Sequence, residues 1–152
     1  MNKLVVYDSR FGNTRKVALA IAKGISGRAV SVSEIKKTEL LDLDVLIVGS
    51  PTQGGRPTIQ IQQFLENLDS GSLKDTKIAA FDTRFSVEES SFPLNLIIKF
   101  FGYAAPKIAF LLESAGGKLI AKPEGFIVKG KEGPISLSEI KRASTWIENM
   151  VE

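Results

Sequence analysis

Val5-Val6-Tyr7-Asp8-Ser9-Arg10-Phe11-Gly12-Asn13-Thr14 decides how the rest of the chain is read. An apolar, β-branched run stops at Tyr7, and a short polar loop containing one glycine follows. Beyond it Val17, Ala18, Ile21, Ala22 and Ile25 recur at the period of an amphipathic helix. A strand that turns tightly into a helix leaves the first amide hydrogens of that helix without intrahelical partners. The positive end of the helix dipole gathers at the same place. Such a turn is a seat for an anion, a phosphate above all. Ser9, Asn13 and Thr14 add hydroxyl and amide donors around it.

Working outward, Gly24 and Gly27 end the helix, and Ala29-Val30-Ser31-Val32 reads as a second strand. Glu34 to Leu41 is a brief connection with room for one helical turn. Asp44-Val45-Leu46-Ile47-Val48-Gly49 is a near-continuous apolar run, which suits a strand buried on both faces of a parallel sheet. Ser50-Pro51-Thr52-Gln53-Gly54-Gly55-Arg56-Pro57 then reads as a loop, neither helix nor ladder. Ile61, Phe64, Leu65 and Leu68 mark another amphipathic helix. Lys77-Ile78-Ala79-Ala80-Phe81 is the fourth strand, and Asp82-Thr83-Arg84-Phe85-Ser86 a third polar loop.

Phe92 to Leu112 is strongly apolar and approaches the ~20 residues of a membrane span. Lys99, Lys107 and the Gly102…Pro106 interruption argue against one. The pattern predicts a short helix, a break near Gly102, and a second helix with Pro106 in its first turn. Lys118 to Ala121 is the fifth strand, with Gly125 to Val128 a short companion to it. In the last helix Ser136 and Glu139 have the spacing of a capping box, and Ile135 with Ile140 that of a hydrophobic staple. Leu137, Ile140, Ala143 and Ile147 form its expected buried face, with Trp146 on the flank.

The chain has 152 residues, enough for one domain over 1–152 with a real core. It has no cysteine, hence no disulfide, thiolate metal site or cysteine nucleophile. It has no histidine, which removes the commonest general base and metal ligand. No catalytic acid, base or nucleophile and no metal ligand is assigned. The net charge of +3 is modest and its lysines and arginines are scattered, unlike a nucleic-acid-binding stripe. It leaves a slight preference for acidic partners. The start of the chain enters a strand at once, so no signal peptide is expected and a cytoplasmic location is.

Strands alternating with helices predict an α/β fold: a doubly wound, five-stranded parallel sheet of order 2-1-3-4-5 with helices on both faces. Ligands of such sheets sit beyond the carboxyl ends of the strands, where strand order reverses. That order sets the three polar loops side by side. The dinucleotide fingerprint and the triphosphate-binding loop are both absent after the first strand. A low-molecular-weight phosphatase would need a cysteine. A response-regulator receiver would need an aspartate ending the third strand, which instead ends Val48-Gly49-Ser50.

At the first loop the chain resembles the flavodoxin family. Val5, Val6, Tyr7, Ser9, Gly12, Thr14, Ala18 and Ile21 meet every required position of that family's signature, and the resemblance extends over the chain in element order. It implies a flavodoxin-like fold and non-covalently bound flavin mononucleotide (FMN). By it, Ser9, Arg10, Phe11, Gly12, Asn13 and Thr14 would surround the phosphate. The loop Ser50 to Pro57, with Pro51, Thr52, Gln53, Gly54 and Gly55, would flank the flavin rings. Thr83, Arg84, Phe85 and Ser86 would cover the other face and edge. Gly54-Gly55 is where a peptide could rotate toward the reduced flavin, since glycine permits positive φ.

Three departures stand out. The second loop has no aromatic to stack on a flavin, and Phe85 is the only one in the third. The chain is basic, and Arg10, Arg56 and Arg84, if near the flavin, would favour its reduced anion. The apolar segment after the third loop is longer than a short flavodoxin needs, and Phe92–Tyr103 could form a homodimer contact. The implied function is electron transfer between soluble redox partners. The alternatives are a small FMN-dependent NAD(P)H or quinone-type reductase, and an interaction module that keeps the fold without tightly bound flavin.

Overall fold

The computed structural model describes residues 1–85, 90–130 and 132–152. Its strands are β1 (Lys3–Tyr7), β2 (Arg28–Ser31), β3 (Val45–Pro51), β4 (Lys77–Arg84), β5 (Lys118–Leu119) and β6 (Glu124–Ile127). Its α-helices are α1 (Asn13–Gly24), α2 (Ile59–Glu66), α3 (Leu94–Phe101), α4 (Ala104–Ser114) and α5 (Leu137–Thr145), with one 3-10 turn at Lys37–Leu40. Every strand pairing is parallel, and the order is β2-β1-β3-β4-β5. This is the doubly wound sheet expected from the alternation of strands and helices.

Strand alternation divides the core in two. Val5, Val45, Ile47, Ala79 and Phe81 point to the face covered by α1 and α5, together with Val17, Ile21 and Ile147. Leu4, Val6, Leu46, Val48, Ile78 and Ala80 point to the other face, covered by α2 and α4 through Ile61, Leu65, Ile108 and Leu112. Successive side chains thus enter opposite layers, so β1, β3 and β4 read as unbroken apolar runs. Trp146 joins Phe81 and Phe126 in an edge-on aromatic group, with centroids 5.9 to 6.4 Å apart.

Five local expectations are corrected. β3 runs on through Ser50 and Pro51, which register with Asp82 and Thr83; the β1 ladder ends at Tyr7 opposite Gly49, so the N–H that proline lacks would face no strand there. β4 continues through Asp82, Thr83 and Arg84 because β6 pairs with that half of it, from Phe81↔Glu124 to Arg84↔Ile127. β6 is therefore a neighbour of β4 rather than of β5, which pairs only with Lys77 and Ile78. In α5 the Ser136 hydroxyl caps Glu139 N–H, but the Glu139 carboxylate turns away to the Ile127 N–H (2.7 Å) and Arg142. Leu137 stands 86% exposed, outside the buried face assigned to it.

The break at Gly102 is where the sequence places it, and Pro106 falls in the first turn of α4. None of the helices, among the described residues, is long and apolar enough to cross a membrane.

Candidate functional site

The carboxyl ends of β1, β3 and β4 open onto one cleft of about 190 Å³. Arg10, Phe11, Asn13 and Thr14 line it from the first loop. Pro51, Thr52 and Gln53 line it from the second, and Thr83, Arg84 and Phe85 from the end of β4. Val128, just beyond β6, completes the wall and was not singled out in the sequence. Its only signal there was a place at the end of a short apolar run. Ser9, Gly12, Gly54 and Gly55 do not line the cleft, and Ser86 lies outside the described residues.

The first loop is built to leave donors pointing outward. Gly12 is the residue before α1, with φ of 93°, and it offers no side-chain cap. That left-handed conformation costs a glycine nothing. The Ser9 hydroxyl accepts from Gly12 N–H (3.2 Å) and Arg15 N–H (3.3 Å), so it shapes the turn from inside. The amides of Asn13 and Thr14 have no protein acceptor among the described residues. The Thr14 hydroxyl meets that of Thr83 at 2.8 Å across the cleft floor. One of the two donates in that bond, which leaves the other's hydrogen for a ligand.

Asn13 differs from the expectation. Its amide nitrogen donates to Glu132 O (2.9 Å) and its oxygen accepts from Ile135 N–H (2.9 Å). The side chain therefore pins the connection between β6 and α5 against the first loop. One oxygen of Asp8 accepts from Ser9 N–H, while the other is buried without a partner among the described residues.

The second loop folds back as a tight hairpin. Gln53 and Arg56 exchange backbone hydrogen bonds of 2.8 and 3.1 Å, and Gly54 and Gly55 form its tip with φ of 57° and 79°. Positive φ at both central residues is the type I′ pattern. The fold-back carries the glycines past the cleft wall, and Lys107 Nζ donates to the Gly55 carbonyl. Arg56 is exposed and does not line the cleft.

At the end of β4, Arg84 donates through Nε and Nη2 to the two oxygens of Asp82, at 2.6 and 2.7 Å. Asp82 is fully buried and also accepts from Ala105 N–H at the start of α4 (2.9 Å). Burial pushes the Asp82 carboxyl above its ordinary value, and the hydrogen bond and charge of Arg84 pull it back. The Arg84 guanidinium stacks on Tyr103, 3.6 Å from the ring centroid. A Cβ at Gly125 would lie only 1.9 Å from Arg84 Nε, so the arginine also needs a glycine beneath it. Thr52 accepts from Ala104 N–H (3.0 Å), tying the second loop to the same helix start. The three expected arginines thus part company: Arg10 and Arg84 reach the cleft, and Arg84 arrives already paired.

Residues 4–100 match the family model described as a flavodoxin domain. A stretch of 71 residues is 37% identical to a flavodoxin of Aquifex aeolicus, covering 43% of this chain and 38% of that protein. Another, of 84 residues, is 37% identical to a flavodoxin of Clostridium beijerinckii, covering 51% of this chain and 60% of that one. The matched stretches thus span less than two thirds of either relative. Among solved structures, oxidised flavodoxin 1 from Bacillus cereus superposes with a TM-score of 0.75 at 16% identity, covering 99% of this chain and 97% of that one. A flavodoxin from the domain Archaea gives 0.71 at 24% identity, covering 99% of each. Both likenesses establish the fold.

Proposed function

This chain belongs to the flavodoxin family, and on that premise we propose that it binds FMN in the cleft and carries electrons between redox partners. The family supplies the cofactor. The observation that carries the reading is the turn before α1, whose two outward amides share the cleft with the Thr14–Thr83 hydroxyl pair. A phosphate monoester there would be met by backbone donors at the positive end of a helix. Phe11 and Phe85 give the cleft apolar surface to exclude water from a planar ring. When bound, FMN supplies the electron-transfer chemistry, and the protein supplies anchoring, orientation and electrostatics.

The partners in this reading are soluble proteins with acidic faces, which the net charge of +3 favours. A cytoplasmic location belongs to the same proposal, supported by the absence of cysteine. So does a homodimer contact through Phe92–Tyr103, for which the 75% exposure of Phe92 speaks. Sedimentation velocity is then expected to show a dimer, and a monomer at all concentrations would remove that contact. The reading itself is tested by titrating the purified protein with FMN. Flavin fluorescence is expected to be quenched to a sharp end point at one equivalent, and unquenched fluorescence would leave only the interaction module.

A further inference from the structure

We infer that Asp8 holds down the affinity for the FMN phosphate, as an uncompensated carboxylate bonded to the turn that seats it. The inference rests on the reading that FMN occupies the cleft. Asp8 directly follows β1, and its N–H still donates to the Gly49 carbonyl of β3 (3.2 Å). Tyr7 registers with Gly49, and Ser50 with Asp82. Asp8, Ser50 and Asp82 therefore stand in one row across the ends of β1, β3 and β4.

The two aspartates of that row are treated oppositely. Asp82 is met by the Arg84 guanidinium and by Ala105 N–H. Asp8 has the Ser9 N–H at 3.0 Å on one oxygen, and its other oxygen is buried with no partner among the described residues. Ser50 cannot help, because its hydroxyl donates to the Pro51 carbonyl (2.8 Å) and accepts from Thr58 N–H (2.9 Å). Arg10, two residues on, donates to Gln60 Oε1 (3.2 Å) and forms no ion pair among the described residues. A carboxylate oxygen left in this way costs stability, so its presence beside the seat calls for a functional reason.

Asp8 bears on the turn in two ways. It draws the Ser9 N–H away from an anion seated there, as the Ser9 hydroxyl draws those of Gly12 and Arg15. The seat is left with the Asn13 and Thr14 amides and the threonine hydroxyls. The charge of Asp8 also repels a phosphate dianion. Like charges roughly 10 Å apart near a protein surface change an affinity by about tenfold. Riboflavin has the same ring and no phosphate, so it escapes both effects. Asp8 thus sets the preference for FMN over riboflavin, not the affinity for the ring.

The test measures the dissociation constants of wild type, Asp8→Asn and Asp8→Ser for FMN and for riboflavin by fluorescence titration. Asparagine keeps the shape and the acceptor for Ser9 N–H while removing the charge. Serine also removes the buried second oxygen, so it keeps the test informative if Asp8→Asn fails to fold. Both variants are expected to bind FMN roughly tenfold more tightly than wild type, with riboflavin unchanged. The gain is expected to shrink as salt is added, because it is an effect of charge. Unchanged or weaker FMN binding in the variants would overturn the inference while leaving FMN binding by wild type intact. An equal gain for both flavins would make Asp8 a residue that shapes the cleft, and would overturn it too. Wild type that binds neither flavin would remove the proposed function and this inference with it.

Discussion

At the scale of single residues, the phosphate seat turns on Thr14. Its hydroxyl is 2.8 Å from that of Thr83 and shares the cleft with the outward amides of α1. Thr14→Val keeps the volume and removes the hydroxyl. FMN affinity is expected to fall by roughly tenfold, the worth of one hydrogen bond to a charged group. Riboflavin binding is expected to stay as it was, and fluorescence titration of both ligands checks it. An equal loss for both would move Thr14 away from the phosphate. Thr14 was legible in the sequence because a strand–turn–helix junction declares its donors locally. Asn13 beside it was not, since its amide is claimed by Glu132 and Ile135, far along the chain. The stacking of Tyr103 on Arg84 was not legible for the same reason: the two meet only through the packing of α4 on β4.

At the scale of elements, apolar periodicity located the strands and helices well and their polar ends poorly. Asp82, Thr83 and Arg84 looked like a loop because two of the three carry charge. In the fold, Arg84 and Ala105 meet Asp82, so the ladder can continue through a buried carboxylate. Arg142 joins β6 to α5 in a comparable way, contacting Glu139, Glu124 and the Gly125 carbonyl. The Arg142 hydrogen bond, aided by the Ile127 N–H, holds the Glu139 carboxyl below its ordinary value of 4.5. A lowered folded value means that Glu139 stabilises the fold above the unfolded value, and that this is lost as pH falls through the folded one. Wild type is therefore expected to exceed Glu139→Gln in thermal stability at neutral pH. The gap is expected to close as the pH is lowered through the folded value. A gap independent of pH would mean that the charge of Glu139 is not what secures α5.

At the scale of the whole molecule, one topological fact assembles the site. The order β2-β1-β3-β4-β5 sets the ends of β1, β3 and β4 side by side, so three loops distant in sequence share a cleft. The sequence declared this through its alternation of apolar runs and amphipathic helices, whose physics is local. It could not declare that β6 would extend β4 and bring Val128 to the wall, because that pairing depends on which edge of the sheet is open. The central claim is that the turn before α1 holds a phosphate while the rest of the cleft holds a ring. Its most direct measurement is the ratio of wild-type dissociation constants for riboflavin and FMN at one ionic strength. Two or more charge-assisted hydrogen bonds predict a ratio of about a hundredfold or more in favour of FMN. Equal affinities would contradict the claim.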